Sequence, residues 1–497
     1  MPSLYALVHT EEPEKKDLYI KGNYRIEEGT LLAMRKDDTA DFATYFNSFS
    51  VKKWKRYTTI RDVTLELEVM GDFLVTIVQI FSGGRVREET FATEDGKFSH
   101  TFGTDNLSCD ILGFSVRCVS DAGKIIRGGW RGEFDDWQEK RIGISITTFK
   151  RETYVKKTIS VLRDIQKEND WLDILVVDNG RTLEPKDEKN FRIVHNRNFG
   201  GSGGFTRGMI EYVEKGSADY VLLMDDDIVL EPSAVLRTRS LLCGIKEEYK
   251  ESFLAGAMFF MERPTVQHEN TAHWKGCVTR IHHKDLDCIQ VKCLAANETD
   301  SFHPNGYAGW WYCAIPVERI RAIGYPIPAF IKSDDMEYGI RNGREILSMN
   351  GIGVWHESFD QKLNPAMRLF SDRNSLILNH YAHGCGRMTF WLAVVLRVLK
   401  RGVHCDLRKI SILAAALEEY RRGFEELTAC PADEVLQAYQ KPECQERGFC
   451  ALWDIGLSTF RILRDYSKLD DAYREFREKK LRDAKFWKQY LGMRRDV

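Results

Sequence analysis

The 497-residue chain holds no run that approaches the roughly 20 apolar residues needed to cross a bilayer. The nearest, MTFWLAVVLRVL at 388–399, is short and broken by Arg397. The opening stretch, MPSLYALVHTEEPEKKD, lacks the basic start and apolar centre of a secretory signal, so the expected compartment is the cytoplasm. An excess of either charge is also missing: 72 Lys and Arg stand against 74 Asp and Glu, a formal net charge of −2. A general nucleic-acid binder needs a basic balance or stripe, and no nucleic-acid partner is expected. None of the 12 cysteines forms a Cys-x-x-Cys pair, which speaks against a disulfide framework or a zinc ribbon. His268, His273, Cys277, His282, His283, Cys288 and Cys293 crowd one stretch, at spacings that match no standard zinc motif. No internal repeat or low-complexity tract is present.

What is there divides into three regions. Residues 1–137 read as an all-β module, a sandwich or jelly roll. In VTLELEVMGDFLVTIVQIF (63–81), Val63, Leu65, Leu67 and Val69 alternate with polar partners before the turn SGG. Residues 138–375 change rhythm. RIGISITTF, LDILVVDNG, FRIVH and DYVLLMDDD are strands separated by helix-like stretches, which predicts a Rossmann-like, mostly parallel α/β sheet covered on both faces. Such sheets bind ligands at the carboxyl ends of their strands. Residues 376–497 read helical: Ile410, Leu413, Leu417, Tyr420, Phe424 and Leu427 follow a helical spacing with Asp406 as N-cap. From Arg474 onward, nine basic residues face four acids, with Phe476, Leu481, Phe486, Trp487 and Leu491 interleaved. That tail reads either as a peripheral membrane surface or as a solvated helical face packed on its neighbours.

The chemistry gathers in short motifs. In YVLLMDDDIVLEP (220–232), Asp225 and Asp227 share one face of an extended chain about 7 Å apart. At an effective dielectric near 20 they repel by roughly 2 kcal/mol, which a divalent cation would relieve. The bland reading is a polar turn ahead of the helix opened by Pro232. The glycine-rich NRNFGGSGGF (196–205) precedes a helix, as loops that approach a phosphate or sugar do, yet it is neither a Walker loop nor a dinucleotide fingerprint. Asp178 in VVDNG is placed either to accept a base or ribose hydrogen bond or to close an Asx turn. Trp310, Trp311 and Tyr312 are either a sugar-binding wall or core aromatics on opposite faces of a strand. In FIKSDDMEYGIR, Asp334 and Asp335 are either helix-start acids or a general base. His356 in GVWHESFD follows an apolar strand, as a third metal ligand or a phosphate contact.

The order TTFKR, VVDNG, NFGGSGGF, MDDDI, GWWY, KSDDMEYG, VWHESF resembles inverting family-2 glycosyltransferases of the GT-A fold. More narrowly, it resembles bacterial galactofuranosyltransferases that build cell-wall or capsular galactan, as does TYFNSFSVKKWKRYT (44–58) in the β module. The resemblance implies a divalent cation, Mn2+ or Mg2+, held by Asp225, Asp227 and His356 against a UDP-sugar diphosphate. It implies Asp335 as the general base. Thr147, Arg151, Asp178, Asn198, Gly203 and Asp226 would contact the donor, with Arg151 and Asp178 facing the uridine. Trp310, Trp311, Lys332 and Asp334 would line the acceptor, a glycan or lipid-linked glycan. The expected location is the cytoplasm, with peripheral association at the inner face of the membrane, and the family also implies a homo-oligomer.

The expected reaction is a metal-assisted, inverting transfer of galactofuranose from UDP-galactofuranose to a hydroxyl. Three alternatives stay open: the same fold with UDP-galactopyranose, UDP-glucose or dTDP-rhamnose as donor; a noncatalytic glycan-binding protein; and a nucleotidyltransferase, for which no basic triphosphate-binding loop is evident.

Overall fold

A computed structural model describes residues 1–300, 302–358, 364–403, 406–429 and 450–493. The first region packs two five-stranded sheets. One contains Ser3–Ala6, Leu32–Arg35, Ile60–Met70, Lys97–Gly103 and Ala122–Phe134; the other contains Lys21–Gly22, Thr39–Asp41, Phe73–Ile80, Val86–Ala92 and Ile111–Cys118. Val63, Leu65, Leu67 and Val69, the alternating set, are all buried. The region is not purely β. VKKWKRY forms the helix Val51–Tyr57, because Val51, Trp54 and Tyr57 recur at helical spacing and bury together.

That helix ties the module to the second region. Lys53, Arg56 and Tyr57 converge on Asp300, with Tyr57 Oη 2.6 Å and Arg56 Nη1 2.5 Å from its carboxylate. Tyr45 meets Phe259 edge-on and Phe46 packs on Trp355, so one hydrophobic core runs across the boundary. Arg237 is buried in this seam; its guanidinium lies 3.5 Å from the centre of the Tyr5 ring and donates to the Phe46 carbonyl at 2.6 Å.

The second region is built on β1 (Ile142–Thr148), β2 (Leu172–Asp178), β3 (Phe191–His195), β4 (Tyr220–Asp225), β5 (Phe253–Phe260), β6 (Tyr312–Pro316) and β7 (Ile346–His356). Strands β3, β2, β1 and β4 are parallel neighbours, as the continuous apolar runs of β1, β2 and β4 predict. Beyond β4 the sheet is mixed: β6 lies antiparallel between β4 and β5, and β7 runs parallel to β5. An antiparallel β6 begins at the edge where β4 ends, so Gly309, Trp310 and Trp311 precede it at the ligand-binding mouth of the sheet.

Helices α1 (Glu152–Lys167), α2 (Gly200–Lys215) and α3 (Pro232–Cys243) follow β1, β3 and β4; α4 (Asp334–Asn342) precedes β7, and α5 (Pro365–Ile377) follows it. The third region consists of α6 (Arg387–Val403), α7 (Leu407–Ala429), α8 (Cys450–Arg464), α9 (Tyr466–Lys479) and α10 (Ala484–Tyr490). The Asp406 carboxylate accepts the Lys409 N–H at 3.0 Å, and Ile410, Leu413, Leu417, Tyr420 and Phe424 are buried. The side chain of Leu427 lies outside the described residues, as do Phe359, Asp360, Arg494, Arg495 and Asp496.

The tail does not present its apolar residues outward. Phe476, Leu481, Trp487 and Leu491 are buried, Tyr490 stacks near Phe199, and Lys488 pairs with Glu214 of α2 at 2.5 Å. Of the two sequence readings, the structure gives the packed helical face. In the histidine stretch, His273 Nδ1 and His282 Nε2 hydrogen-bond at 2.7 Å, and His303 stacks on His273.

Candidate active site

Sheet register assembles the acids. Thr147 of β1 pairs with Asp225 of β4, and Thr148 pairs with Asp178 of β2, so the three carboxyl ends lie level. The parallel β5–β7 register ends on Phe260 and His356, while Val229 pairs with Trp355; together these bring His356 to the aspartate loop. One ligand atom each from Asp225, Asp227 and His356 lies within 4.8 Å of the others, the one such group of three among the described residues. His356 Nε2 is 3.1 Å from Asp227 Oδ1, and its Nδ1 is 2.6 Å from the Glu357 carbonyl. A carbonyl can only accept, so Nδ1 carries the proton and Nε2 offers its lone pair when the ring is neutral.

Burial, then the charge of Asp227, pushes Asp225 up to about 6. Burial disfavours the charged form of His356, but the hydrogen bond and charge of Asp227 outweigh it, raising the ring above the ordinary histidine range. Asp226 turns back into the fold and accepts Thr148 Oγ1 at 2.7 Å; burial still raises it to about 6. Its carboxylate is spent on that strand end rather than on open space. Arg151 departs from the expectation too. Its guanidinium pairs with Asp227 and lies 3.6 Å from Asp226, drawn to the clustered negative charge instead of standing out toward a base.

The remaining donor-side residues divide in two. Asp178 is fully buried and accepts the N–H groups of Gly180, Thr182 and Leu183 at 2.6–2.8 Å, which is the turn reading of VVDNG. Asn198 Oδ1 accepts the Gly200 N–H at 3.1 Å and shapes the entry to α2. Gly203 packs inside α2, where a β-carbon would come 2.3 Å from Phe199 Cβ. Gly204 and Gly208 likewise let α2 sit on Thr147 and Ser145. Most of these glycines therefore serve helix–strand packing. Gly201 faces the site: a β-carbon there would lie 3.8 Å from Asp334 Oδ2. Thr147 Oγ1 is buried at the strand end without a protein partner.

Near the aspartate loop, where the charge of Asp335 reaches Asp225, α4 begins with Asp334 and Asp335, and Asp335 Oδ1 accepts the Met336 N–H at 2.7 Å. Burial raises both carboxyls, and mutual repulsion adds to the rise at Asp334, so the pair favours holding one proton. The charge of Lys332 acts on Asp335 and on Asp225 alike, so this lysine lies near both acidic motifs. The approach to α4 is strained: Phe330, Lys332 and Ser333 all have positive φ, at 69°, 66° and 71°. Asn374 of α5 holds it, with Nδ2 within 2.9–3.0 Å of the carbonyls of Ala329, Ile331 and Lys332.

The paired tryptophans do not form one wall. Trp310 meets Phe205 and Tyr338 edge-on in one core, while Trp311 joins the other and donates Nε1–H to the Gly256 carbonyl at 3.0 Å. Both are buried, in the turn that leads into β6.

Two stretches of the chain match known families. Residues 7–130 match the family described as Galactofuranosyltransferase 2 N-terminal, and residues 144–243 match Glycosyl transferase family 2. Residues 144–243 thus form a glycosyltransferase family 2 domain. It is 26% identical over 432 residues to galactofuranosyltransferase GlfT2 of Mycolicibacterium smegmatis, covering 80% of this chain and 66% of that protein. To GlfT2 of Mycobacterium tuberculosis it is 25% identical over 380 residues, covering 67% of this chain and 56% of that protein. The chain thus matches less than two thirds of the length of either relative. The mannosyltransferase PcManGT from Pyrobaculum calidifontis, solved with GDP-Man and Mn2+, aligns at 12% identity with a TM-score of 0.32, over 70% of this chain and 90% of its own.

The donor set is chemically apt for a divalent cation. Two carboxylates and an imidazole with its second nitrogen already engaged fit a divalent cation, which prefers oxygen with borderline nitrogen. Sequence reasoning missed Glu269, a buried carboxyl on Val266–Glu269 raised to about 8 by burial and by the charge of Asp335. It also missed Tyr307, whose phenol is held well above its usual range by burial and by the charges of Glu269 and Asp335. The available signal was alternation: Gln267 and Glu269 share the buried face of a short strand. Asn374 left no signal, since its partners are carbonyls more than 40 residues away.

Proposed function

We propose that the protein transfers galactofuranose from UDP-galactofuranose to a hydroxyl of a glycan acceptor in one inverting displacement. The carrying observation is that the metal-ligand set Asp225, Asp227 and His356 lies close enough to Asp335 for their charges to act on one another, with Lys332 acting on both Asp225 and Asp335. The relatives matched by both the β module and the sheet domain support the choice of donor.

Asp225, Asp227 and His356 would hold Mn2+ or Mg2+, which when bound offsets charge on the donor diphosphate. Asp335, in its ionised form, takes the proton of the acceptor hydroxyl as that oxygen bonds to the anomeric carbon. The bond from that carbon to the diphosphate oxygen breaks with its electron pair, and UDP leaves. One base suffices for a single displacement, and no covalent enzyme intermediate is needed. Lys332 keeps Asp335 more acidic than burial alone would, favouring the ionised base. Glu269 and Asp334 border the acceptor side; protonated they donate to sugar hydroxyls, and ionised they accept from them. Thr147 Oγ1 and Gly201 face the donor.

A donor panel tests the reading. Purified protein is offered UDP-galactofuranose, UDP-galactopyranose, UDP-glucose and dTDP-rhamnose with a galactoside acceptor, and nucleotide release is scored with and without Mn2+ or Mg2+. Acceptor-dependent release from UDP-galactofuranose alone is the expected result. Release from another donor instead overturns the sugar assignment and keeps the transfer chemistry.

A further inference from the structure

A cleft of about 570 Å³ opens where α4 ends, between the helix Val317–Ile323, the segment 381–385 and the tail helix α9. Five arginines line it, Arg319, Arg341, Arg474, Arg477 and Arg482, against one carboxylate, Glu478, among the described residues. The two from the sheet domain are fixed largely by neutral groups. Arg319 donates to Asn342 Oδ1 at 2.6 Å and to the Asn342 carbonyl at 2.9 Å. Arg341 donates to the carbonyls of Ile323 and Tyr325 at 2.9 and 2.7 Å, and to Glu337 at 2.8 Å. On α9, Arg474 and Arg477 stand one turn apart on one helical face, and Arg482 follows the last turn. The Arg477 guanidinium lies 5.0 Å from the centre of the Tyr381 ring.

Other carboxylates nearby are already shared. Glu251 pairs with Arg344 at 2.5 Å and reaches Arg319 only at 3.6 Å. Asp470, which answers Arg474 at 2.9 Å, also meets His380 Nδ1 at 2.6 Å. Glu478 is left to meet both Arg477 and Arg482, at 3.3 and 3.4 Å. Burial keeps Arg319 below its usual range despite Glu251, as befits an under-compensated guanidinium. The Nε–H groups of Arg341 and Arg477 are buried with no acceptor among the described residues, and the Arg341 side chain is only 8% exposed. Guanidinium N–H groups of this kind, gathered around an open space, suit an anion that brings its own oxygens. A phosphate group offers three acceptor oxygens, enough for about two guanidiniums, so five of them call for a second phosphate. The volume is that of a small-molecule site. No lining residue belongs to the cation set or to the acids that open α4. We propose that this cleft binds a small soluble anion carrying two linked phosphates, separately from the donor. Bound there, the anion joins α9 to the end of the helix whose first turn carries Asp334 and Asp335. The proposal does not rest on the transfer reading, because binding is measured without turnover.

The test is calorimetry on the full chain with pyrophosphate as the probe. Omitting divalent cations keeps the probe from the Asp225, Asp227 and His356 set. Pyrophosphate should bind with a Kd below about 1 mM, at least about tenfold tighter than inorganic phosphate, and should raise the melting temperature. Arg474 and Arg482 are half-exposed, so both can be changed without opening the core. Arg474→Gln/Arg482→Gln should weaken pyrophosphate binding at least about tenfold, with the melting temperature of the free protein unchanged. Its affinity for UDP with Mn2+ should stay within about twofold of the parent. Failure of the parent to bind pyrophosphate overturns the inference, as does binding that ignores the double variant. Equal affinity for phosphate and pyrophosphate overturns the linked pair. Phosphatidylglycerol vesicles that displace the probe would assign the same chemistry to a lipid headgroup and overturn a soluble ligand.

Discussion

The carbonyl oxygen of Phe330 stands 2.0 Å from the point a β-carbon on Gly200 would occupy. Gly200 also has φ +67°, so both close approach and backbone conformation require glycine there. This contact clamps the glycine-rich turn onto the strained strap that delivers Asp334 and Asp335. Gly200→Ala should therefore lose on the order of 2–3 kcal/mol in denaturant unfolding. Gly201→Ala, where the new methyl meets Asp334 at an ordinary 3.8 Å, should be neutral or gain up to about 1 kcal/mol. Equal effects at the two positions would refute the clamp.

Asn374 holds the same strap from the other side. Asn374→Ala removes a donor from the Ile331 and Lys332 carbonyls and leaves Ala329 to Arg373 alone; it should lower the transfer rate at least about tenfold while the affinity for UDP, read by calorimetry, stays within about twofold. A loss confined to UDP affinity would show that the strap serves the donor instead of the base.

Asp225→Asn removes one of three convergent ligand atoms. Since even outer groups around a metal cost about 10–100-fold in affinity, Mn2+ affinity in the presence of UDP should fall more than tenfold by electron paramagnetic resonance. Unchanged affinity would remove Asp225 from the ligand set.

Asp335→Asn preserves shape and removes the base. Transfer should fall about 10²–10⁴-fold with UDP and cation binding retained. Normal turnover would shift the role elsewhere, with Asp334 the next residue to vary.

Glu298 offers a check on stability far from the chemistry. It is buried, accepts hydrogen bonds from Ser50 Oγ at 2.8 Å and Asn350 Nδ2 at 2.9 Å, and burial raises it from 4.5 to about 7 despite the charge of Lys53. Because the folded value exceeds the unfolded one, its contribution is fully present below about pH 4.5 and is lost as pH rises through about 7. The loss amounts to at most about 3 kcal/mol. Glu298→Gln should flatten that part of the stability profile; an unchanged slope would assign it to other groups.

Much of this was legible in the chain. Strands β1 to β4 announce themselves because a parallel strand buried on both faces must be apolar throughout, and the acids stand out because they interrupt such runs at the carboxyl end. Asp225, Asp227 and His356 lie at strand ends in the sequence just as they do in the fold. Single-residue roles fared differently. VVDNG allows Asp178 to face a base or to close a turn, and only the three backbone N–H groups on its carboxylate decide for the turn. Trp310 and Trp311 look like a wall in sequence, and the turn ahead of β6 sends them to separate cores.

The sequence by itself determined the order of the elements and the places where buried strands end in carboxylates, since both follow from local pattern. It could not decide what each polar group spends its hydrogen bonds on. Arg151 turns to Asp227, Asp226 to Thr148, and Asn374 reaches back to Lys332, because partners far apart in the chain are brought together only by sheet register and helix packing. The same holds for the arginine cleft. Arg474, Arg477 and Arg482 read as part of a basic tail until helix packing shows that they line one space with Arg319 and Arg341.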